Sequence, residues 1–452
     1  MKRAGRQPNP APAPSVRAVA LRVLGLVEDE GLFAKALLDD ALQRQALNAA
    51  DRRLLYELVP GVLRWQGRLD HFLGQVADRP ISKLDRTTRR ILRLGAYQLL
   101  MLDKIPASAA VNESVKLARS HARPYVNAVL RELSRQKEKL TLPGPEAEPG
   151  ERISITESHP PWLVARWIQE LGQAEAEALC RANNFRPELT LRVNPRRQSR
   201  KELIEVFEQA GIAAEPTSLS PLGVRVKDRI APAELPGYEQ GWFAMQDEAS
   251  QLVGMLVGAG PGERVLDACA APGTKSLQIA LAMDDSGEVI STDVNEQRLG
   301  LIEPEARRLG VETVKARRMD WTEPAELGGF DRILVDAPCS GLGTLRRHPE
   351  IKWRITLEEI ATLAALQKKI LTNVAKCLKP GGALVYATCT FTSEENAAVV
   401  ETLLTTGEWQ KQDAALLLPA PAQAVVSDGL LRTWPHRQGA DGFTAMVLTK
   451  RI

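Results

Sequence analysis

The second half of this 452-residue chain repeats a strand, loop and helix pattern, which restricts its possible folds more than any other feature does. From about residue 241, short runs rich in β-branched residues alternate with segments of helical periodicity. The candidate strands are RVLDAC (264–269), EVISTD (288–293), TVKARRMD (313–320), DRILVDA (331–337), ALVYATC (383–389) and FTAMVLT (443–449). This alternation predicts a doubly wound α/β sheet of parallel strands, in which ligands bind beyond the carboxyl ends of the strands.

The chain is too long for one hydrophobic core, and its composition changes along its length as in a multidomain protein. Residues 15–140 carry apolar side chains at helical spacing and are predicted to be all-helical. Residues 141–158 are rich in Pro, Gly and Glu, which is typical of a linker. Residues 159–240 combine helices and strands in a small α+β domain, and 241–452 form the α/β domain. The first 14 residues, rich in Ala and Pro, are predicted to be a disordered arm.

Charge is unevenly distributed along the chain. The net charge is +3, but residues 1–140 hold 25 Lys and Arg against 14 Asp and Glu. A basic domain on a nearly neutral protein favours a polyanionic partner, and a solvated helical surface is the alternative. Arg86, Arg90 and Arg93 share one face of a predicted helix, so they are the candidate phosphate contacts.

The five cysteines are scattered and odd in number. They are Cys180, Cys269, Cys339, Cys377 and Cys389, and none forms a CxxC pair. We therefore expect neither a disulfide framework nor a metal site, and we expect a cytoplasmic protein with reduced thiols. The chain shows no apolar run of the roughly 18–20 residues that a membrane helix needs, and no apolar block of a secretory signal follows its basic start.

The first predicted strand of the α/β domain runs into the turn DACAAPGTKS. Gly273 follows Pro272 there, and a missing side chain lets backbone N–H groups approach a ligand. No GxGxxG is present, which disfavours a dinucleotide; an ordinary strand–helix turn is the alternative. Asp293 and Asp320 end the next two strands, where carboxylates can contact a ribose and an adenine edge. Together they favour an adenosine cofactor without phosphates.

Two cysteines follow the ends of two later strands. Asp336 and Cys339 follow the fourth strand, and Cys389 ends the fifth. A single free cysteine is usually a buried small hydrophobe, and Cys180 and Cys377, in helical segments, keep that interpretation. Parallel neighbours lie about 4.8 Å apart, so Cys339 and Cys389 are predicted to meet at the cofactor crevice.

Three segments carry a family resemblance: LDACAAPGTKS, DRILVDAPCSGLGTLRRHPEIKW and VYATCTFTSEEN. They resemble the signature motifs of the RNA cytosine-C5 methyltransferases, the NOL1/NOP2/Sun family, and the likeness spans roughly residues 160–452. The resemblance implies a Rossmann-like domain dependent on S-adenosylmethionine. It implies that the cofactor is bound by Cys269, Ala270, Ala271, Pro272, Gly273, Thr274, Lys275, Asp293, Asp320 and Asp336. It also implies three catalytic residues: Cys389 as nucleophile, Cys339 for product release, and Asp336 at the target base.

The chemistry of this family explains a pair of thiols. Carbon 5 of cytosine is a poor nucleophile, and a thiolate that adds to carbon 6 makes carbon 5 able to attack a methyl group. A carboxyl group at ring nitrogen 3 stabilises the charge that develops. The proton on carbon 5 must then leave before the thiol is eliminated, and a second thiol can assist that step.

Further segments match the family, and a few positions depart from it. The matches are Gln246-Asp247, Arg192-Val193-Asn194 and DGF at 441–443. Thr274 stands where the family usually has glycine, and TCT stands for the commoner TCS. Pro304 is predicted to interrupt the helix after Asp293.

The N-terminal region is similar to the NusB antitermination-factor fold, a helical RNA-binding domain. The segments RLLYELVPGVLRWQGRLD, ILRLGAYQLLMLDKIPASAAVNESVKLA and YVNAVLREL carry that likeness. The fusion resembles the bacterial enzymes that methylate cytosine 967 of 16S rRNA, and that nucleotide is implied by the resemblance alone. The implied partner is 16S rRNA or a small-subunit precursor, bound by a monomer. Arg86, Arg90 and Arg93 are its predicted RNA contacts.

Two rival functions remain open on the sequence. An RNA-binding factor with a vestigial catalytic fold is supported by the NusB-like region, but the intact acids and cysteines argue against it. A DNA cytosine methyltransferase would use the Pro-Cys cysteine, Cys339, as its nucleophile, whereas the cysteine of the Thr-Cys motif, Cys389, favours RNA.

Overall fold

The computed structural model describes residues 15–45 and 47–452, so the predicted arm at 1–14 lies outside the described residues. The chain forms two compact units, which are described separately below. Unit 1 extends to Asn184 and includes the segment His348–Arg354. Unit 2 comprises Phe185–Arg347 and Ile355–Ile452. Within the described residues, no helix is long and apolar enough to cross a membrane.

Unit 1 is helical, as its apolar spacing predicts. Its helices up to Asn184 are α1 Val16–Glu30, α2 Ala34–Arg44, α3 Ala49–Val76, α4 Arg86–Met101, α5 Ala107–Leu117, α6 Arg123–Arg135, α7 Pro149–Thr156, α8 Pro161–Leu171 and α9 Gln173–Asn183. Side-chain N-caps begin four of them, because Ser15, Asn48, Asp85 and Glu148 accept hydrogen bonds from backbone N–H groups of the first turns. Helix α4 lies in the middle of the core and is buried around most of its circumference.

The predicted basic face of α4 is not a surface. Arg90 and Arg93 are only 6% and 5% exposed. Arg90 pairs with Glu28 at 2.8 Å, and Arg93 donates two hydrogen bonds to Asp70 at 2.8 and 2.7 Å. A helix buried on nearly all sides needs carboxylates to compensate its cations, and other helices of unit 1 supply them. Arg90 and Arg93 are therefore not phosphate contacts, and only Arg86 remains exposed.

Unit 1 continues beyond the helical region that the sequence delimited. The segment predicted as a linker contains α7, and helices α8 and α9 group with unit 1 rather than with the α+β sheet. An ion pair of 2.6 Å joins Arg152 of α7 to Glu177 of α9. The short helix α15, Ile351–Arg354, also belongs here, and the Trp353 indole donates to the carbonyl of Leu63 at 2.6 Å.

Unit 2 begins with a small antiparallel sheet. Its strands are β1 Leu189–Val193, β2 Ala214–Pro216, β3 Gly223–Val226 and β4 Phe243–Met245, in the order β2-β3-β1-β4. Helix α10, Arg200–Gln209, is begun by a capping box between Ser199 and Glu202 and buries Phe207 in the core beside this sheet. The predicted α+β domain is present, but β4 lies beyond its predicted end at residue 240.

The larger sheet of unit 2 follows the predicted strands closely. Its strands are β5 Arg264–Asp267, β6 Glu288–Asp293, β7 Val314–Arg318, β8 Phe330–Asp336, β9 Leu378–Thr388, β10 Trp409–Gln412, β11 Val426–Ser427, β12 Leu430–Thr433 and β13 Phe443–Lys450. The order is β11-β12-β13-β9-β8-β5-β6-β7, with β10 paired to β13. The five strands from β9 to β7 in that order are parallel, whereas β10 to β13 pair antiparallel. The sheet is therefore mixed and not wholly parallel as predicted, because β13 returns beside β9 in the opposite direction.

Helices connect these strands. They are α11 Glu248–Leu256, α12 Thr274–Ala282, α13 Glu296–Leu299, α14 Ile302–Leu309, α16 Leu357–Ala375, α17 Ala397–Leu404, α18 Ala420–Gln423 and α19 Pro435–Gln438. The helix predicted after Asp293 is divided into α13 and α14, and Pro304 lies in the first turn of α14, where a missing N–H costs no helical hydrogen bond.

Candidate active site

A loop between β5 and α12 forms one side of the site. Gly273 has a φ of +96°, and a Cβ atom there would lie 2.6 Å from Cγ1 of Ile302, so only glycine fits. Thr274 is the first residue of α12 and has no positive φ, which explains why the loop accepts it. Backbone hydrogen bonds from Ala270 to Thr292 and from Gly273 to Ala270, of 2.8 and 2.6 Å, fix the loop.

Two of the predicted cofactor acids follow neighbouring strands. Asp293 ends β6 and accepts hydrogen bonds from the backbone of Ala271 at 3.2 Å and of Asn295 at 2.9 Å. Asp320 lies two residues beyond β7, is exposed, and accepts from the backbone and the hydroxyl of Thr322. These hydrogen bonds hold the pKa of Asp320 below its usual value. Both acids therefore lie at the carboxyl end of the sheet, as the sequence predicted.

Asp267 is a third acid, which sequence reasoning did not single out. It ends β5, is almost completely buried, and accepts a hydrogen bond of 2.7 Å from the Ser276 hydroxyl. Burial raises the pKa of Asp267 to about 7, and the charges of Asp336 and Asp293 act in the same direction. Its Oδ1 atom has no hydrogen-bond partner among the described residues. The sequence did contain a signal for Asp267, because it is an acid at the end of a predicted strand, just before the turn that contains Gly273.

The open backbone at Gly273 and the neighbouring carboxylates fit S-adenosylmethionine better than a phosphorylated cofactor. Gly273 leaves open backbone at the turn, and the acids Asp267, Asp293 and Asp320 follow three adjacent parallel strands. Carboxylates can accept hydrogen bonds from ribose hydroxyls and an amine, and they repel phosphates. Among the described residues, no group of His, Cys, Asp and Glu is arranged to hold a metal ion.

Cys339 and Cys389 meet at the ends of β8 and β9. The two strands pair in parallel with Asp336 opposite Ala387, and the two sulfur atoms lie 3.2 Å apart. The cysteines are neither fully buried nor fully exposed. The hydrogen bond to Cys389 and burial raise the pKa of the Cys339 thiol well above its usual value. The Cys339 thiol is therefore protonated at neutral pH, and either sulfur can be the donor in the contact between them.

The remaining cysteines are distributed as the sequence suggested. Cys180 and Cys377 are buried in the cores of units 1 and 2, which confirms their structural interpretation. Cys269 is partly exposed in the loop after β5, and burial raises its pKa, with Asp267 adding to the effect. Its thiol is therefore a neutral group at neutral pH.

Lys275 ends the predicted cofactor loop and lies within electrostatic range of Cys389. It is 8% exposed, and its Nζ donates to Oδ2 of Asp336 at 2.7 Å and lies 5.2 Å from the Phe443 ring centroid. Burial alone would lower the pKa of Lys275, but Asp336, Asp267 and Cys389 raise it above its usual value. A cation and a carboxylate therefore lie within electrostatic range of Cys389, a contact that sequence spacing could not give.

The other family matches stabilise the surroundings. Arg192 donates to Gln246 at 2.6 Å in the buried interior. Asp247 caps α11 and accepts from the backbone of Asp441 at 3.0 Å and from the Arg347 guanidinium at 2.8 Å. These contacts connect the segments before α11, after Cys339 and before β13.

The departure from TCS to TCT has a simple structural reason. The Thr390 hydroxyl lies 2.8 Å from the Ser340 hydroxyl, next to the cysteine pair. Serine and threonine both carry that hydroxyl, so the hydrogen bond is retained.

Matches to protein families cover most of the chain. Residues 255–449 match the family described as 16S rRNA methyltransferase RsmB/F, and residues 14–135 match the NusB family. Residues 159–231 match the ferredoxin-like domain of RsmF/B-like methyltransferases.

Full-length relatives are similar over nearly the whole chain. A Synechocystis protein named probable ribosomal RNA small subunit methyltransferase B is 37% identical over 445 residues, which cover 96% of this chain and 99% of the relative. A Bacillus subtilis protein of the same name is 36% identical, with 97% and 99% covered. The crystal structure of PH0851 is 26% identical, covers 97% of this chain and 100% of its own, and has a TM-score of 0.79.

Proposed function

Because the chain belongs to the family of ribosomal RNA small subunit methyltransferases B, we propose that it methylates carbon 5 of a cytosine in 16S rRNA through a covalent bond to Cys389. Its enzymatic class follows from the family: it is a methyltransferase of small-subunit rRNA that depends on S-adenosylmethionine. The observation that supports the proposed mechanism most is the 3.2 Å separation of the Cys339 and Cys389 sulfurs at adjacent strand ends.

The residues proposed to hold the cofactor are those of the loop Cys269–Lys275 together with the acids after the strands. The Gly273 backbone would approach the cofactor, Asp293 would accept hydrogen bonds from its ribose hydroxyls, and Asp320 would contact its adenine edge. When bound, S-adenosylmethionine supplies an electrophilic methyl group. Asp267 lies at the same end of the sheet, and the negative charges of Asp293 and Asp336 contribute to its raised pKa.

The proposed reaction begins at Cys389. Its thiolate forms a bond to carbon 6 of the cytosine, and the electron pair of the double bond moves toward ring nitrogen 3. A hydrogen-bond donor beside that nitrogen stabilises the charge, and the Lys275–Asp336 pair, within electrostatic range of Cys389, is the proposed source of that donor. Carbon 5 thereby becomes nucleophilic and can bond the methyl group, whose bond to the cofactor sulfur would break with the electron pair left on the departing thioether.

Cys339 has the second task in this proposal. The first cause of the raised pKa of Cys339 is its hydrogen bond to Cys389. Once the Cys389 sulfur is bonded to carbon 6, that sulfur no longer carries a negative charge. Cys339 can then release its proton to water and accept the proton that leaves carbon 5. The C5–H electron pair restores the ring double bond, the bond between sulfur and carbon 6 breaks, and its pair returns to Cys389.

The target nucleotide, the RNA partner, the oligomeric state and the cellular compartment remain part of the proposal. Cytosine 967 follows from the resemblance alone, and 16S rRNA or a small-subunit precursor is the proposed partner. A base within a stem must be flipped out to reach Cys389, at a cost of a few kcal/mol. A monomeric, cytoplasmic enzyme is consistent with this partner and stays a prediction.

The decisive experiment compares Cys339→Ala and Cys389→Ala with RNA and cofactor. Cys339→Ala is expected to accumulate an RNA–protein adduct that survives denaturing electrophoresis, because the adduct forms but is not released. Cys389→Ala is expected to form none. An adduct from Cys389→Ala alone would exchange the two roles and favour the Pro-Cys nucleophile of DNA cytosine methyltransferases.

A second arm addresses the alternative of a vestigial enzyme. Cofactor binding measured by calorimetry, with no methyl transfer to small-subunit rRNA or its assembly intermediates, would support a binding protein. Mapping of 5-methylcytosine in rRNA from cells with and without the gene identifies the nucleotide.

A further inference from the structure

Glu395 is a buried acid between the two cysteine loops, and the proposed mechanism does not use it. It follows Cys389 by six residues in the segment TFTSEEN and is 0% exposed. Among the described residues no Lys, Arg or His forms an ion pair with it. A buried carboxylate without a cation is costly unless hydrogen bonds satisfy both oxygens.

Hydrogen bonds do satisfy both oxygens, and two of the four come from Ser340 in the loop that carries Cys339. Oε1 accepts from the backbone N–H of Ser340 at 2.7 Å and from Gln367 at 3.1 Å. Oε2 accepts from the hydroxyls of Ser340 at 2.6 Å and Thr392 at 2.7 Å. Gln367 also donates to the carbonyl of Pro338 at 2.8 Å, so both residues flanking Cys339 are tied to one cluster.

We infer that Glu395 is a positioning residue that holds the Cys339 loop against the Cys389 loop and so sets the distance between the two sulfurs. Glu395 and Cys389 follow the same strand, β9, whereas Ser340 and Cys339 follow β8. The carboxylate therefore bridges two chain segments that are 55 residues apart in sequence. The Ser340–Thr390 hydroxyl contact supports the same bridge at 2.8 Å. The catalytic consequence of this inference rests on the proposed function.

The bridge has a geometric and an electrostatic part. The geometric part is the set of hydrogen bonds to the Cys339 loop. The electrostatic part is the negative charge of Glu395, which contributes to the raised pKa of the Cys339 thiol. Glutamine separates the two, because its amide oxygen can replace Oε1, its NH₂ can donate to hydroxyls that reverse their roles, and the charge is lost.

The geometric part is tested by Glu395→Ala, Glu395→Gln and the neighbouring control Glu394→Gln in the full-length enzyme. Glu395→Ala is expected to trap as large a fraction of enzyme in the denaturation-resistant adduct as Cys339→Ala does, because Cys389 still attacks but Cys339 is displaced. Glu395→Gln should restore release in part, and Glu394→Gln should behave as the unaltered enzyme. Unaltered turnover without trapped adduct in Glu395→Ala would overturn the inference.

The electrostatic part is tested without RNA, which separates a failure of this inference from a failure of the proposed function. The rate of alkylation of Cys339 by iodoacetamide is followed against pH by peptide mass spectrometry. In Glu395→Gln its midpoint is expected to fall by about one pH unit, because a nearby negative charge is removed. Thermal unfolding and cofactor affinity first establish that Glu395→Gln is folded. An unchanged midpoint for the alkylation of Cys339 in this variant would then refute the inference, even if Cys339→Ala traps the adduct as proposed.

Discussion

Lys275 and Asp336 form a 2.7 Å ion pair that joins the first turn of α12 to the end of β8, within reach of the Cys389 charge. The family resemblance assigned both residues to the cofactor, and Asp336 also to the target base. The ammonium group is directed to Asp336 and to the face of Phe443, and its proton is retained because the surrounding negative charges raise its pKa. The ion pair therefore lies within electrostatic range of Cys389, and its action on the target base belongs to the proposed mechanism.

Replacing Lys275 by methionine keeps the stem and removes the charge. We expect the rate of adduct formation at saturating cofactor to fall on the order of 100-fold, because a preorganised cation no longer stabilises the charge on the base. Cofactor affinity, measured by calorimetry, should change much less. Lys315→Met, at an exposed lysine of β7, is the matched control. A loss of cofactor affinity with an unchanged rate at saturation would instead assign Lys275 to the cofactor.

Gly273 supplies a second prediction. Gly273→Ala combines a left-handed φ with a clash against Ile302, which costs on the order of 1–3 kcal/mol, so roughly 10–100-fold weaker cofactor binding is expected. Thr274→Gly at the next position should bind the cofactor as the unaltered protein does, since Thr274 has ordinary helical backbone. Calorimetric titration of both variants measures the difference. Equal affinities would mean that the turn does not contact the cofactor.

Periodicity and strand ends were sufficient to predict much of the site. The positions of Cys339 and Cys389 after adjacent strands follow from the α/β alternation alone, because parallel strands end at the same edge. Asp293 was found in the same way. These predictions succeeded because they depend on strand order and not on side-chain packing.

The features that the sequence did not reveal all depend on packing between distant segments. Periodicity gives the face on which Arg90 and Arg93 lie, but it cannot show that Glu28 and Asp70 cover that face. The role of Glu395 likewise requires the Cys339 loop to be in place. The antiparallel return of β13 depends on a long-range pairing that no local pattern encodes.

Because the pKa of Asp267 is raised, we expect the free energy of unfolding to depend on pH. Its pKa is about 7 in the folded protein and about 3.9 when unfolded, so between these values the folded state holds a proton that the unfolded state has lost. The stabilisation is complete below about pH 4 and is lost as the pH rises through 7. Asp267→Asn should therefore be increasingly stabilising, relative to the unaltered protein, from pH 5 to pH 8.

Urea denaturation of both proteins at each pH, without cofactor, measures this difference in the free energy of unfolding. Groups distant from Asp267 titrate equally in the two proteins, so the difference reports Asp267 together with its coupling to the neighbouring Asp293 and Asp336. A difference that stays constant with pH would show that Asp267 titrates near its unfolded value.

The buried ion pairs of α4 give the last prediction. Arg93→Ala leaves Asp70 without its cation, while Glu28 keeps Arg90, and is expected to destabilise the protein by about 3 kcal/mol, the low end for a buried pair because Asp70 is partly exposed. Arg86→Ala, at an exposed pair with Asp29, should cost less than about 1 kcal/mol. Below the unfolding transition, Arg93→Ala should leave the salt dependence of RNA affinity unchanged, because a buried guanidinium releases no counterion from RNA. A reduced salt slope with little loss of stability in Arg93→Ala would return this arginine to the RNA-binding surface.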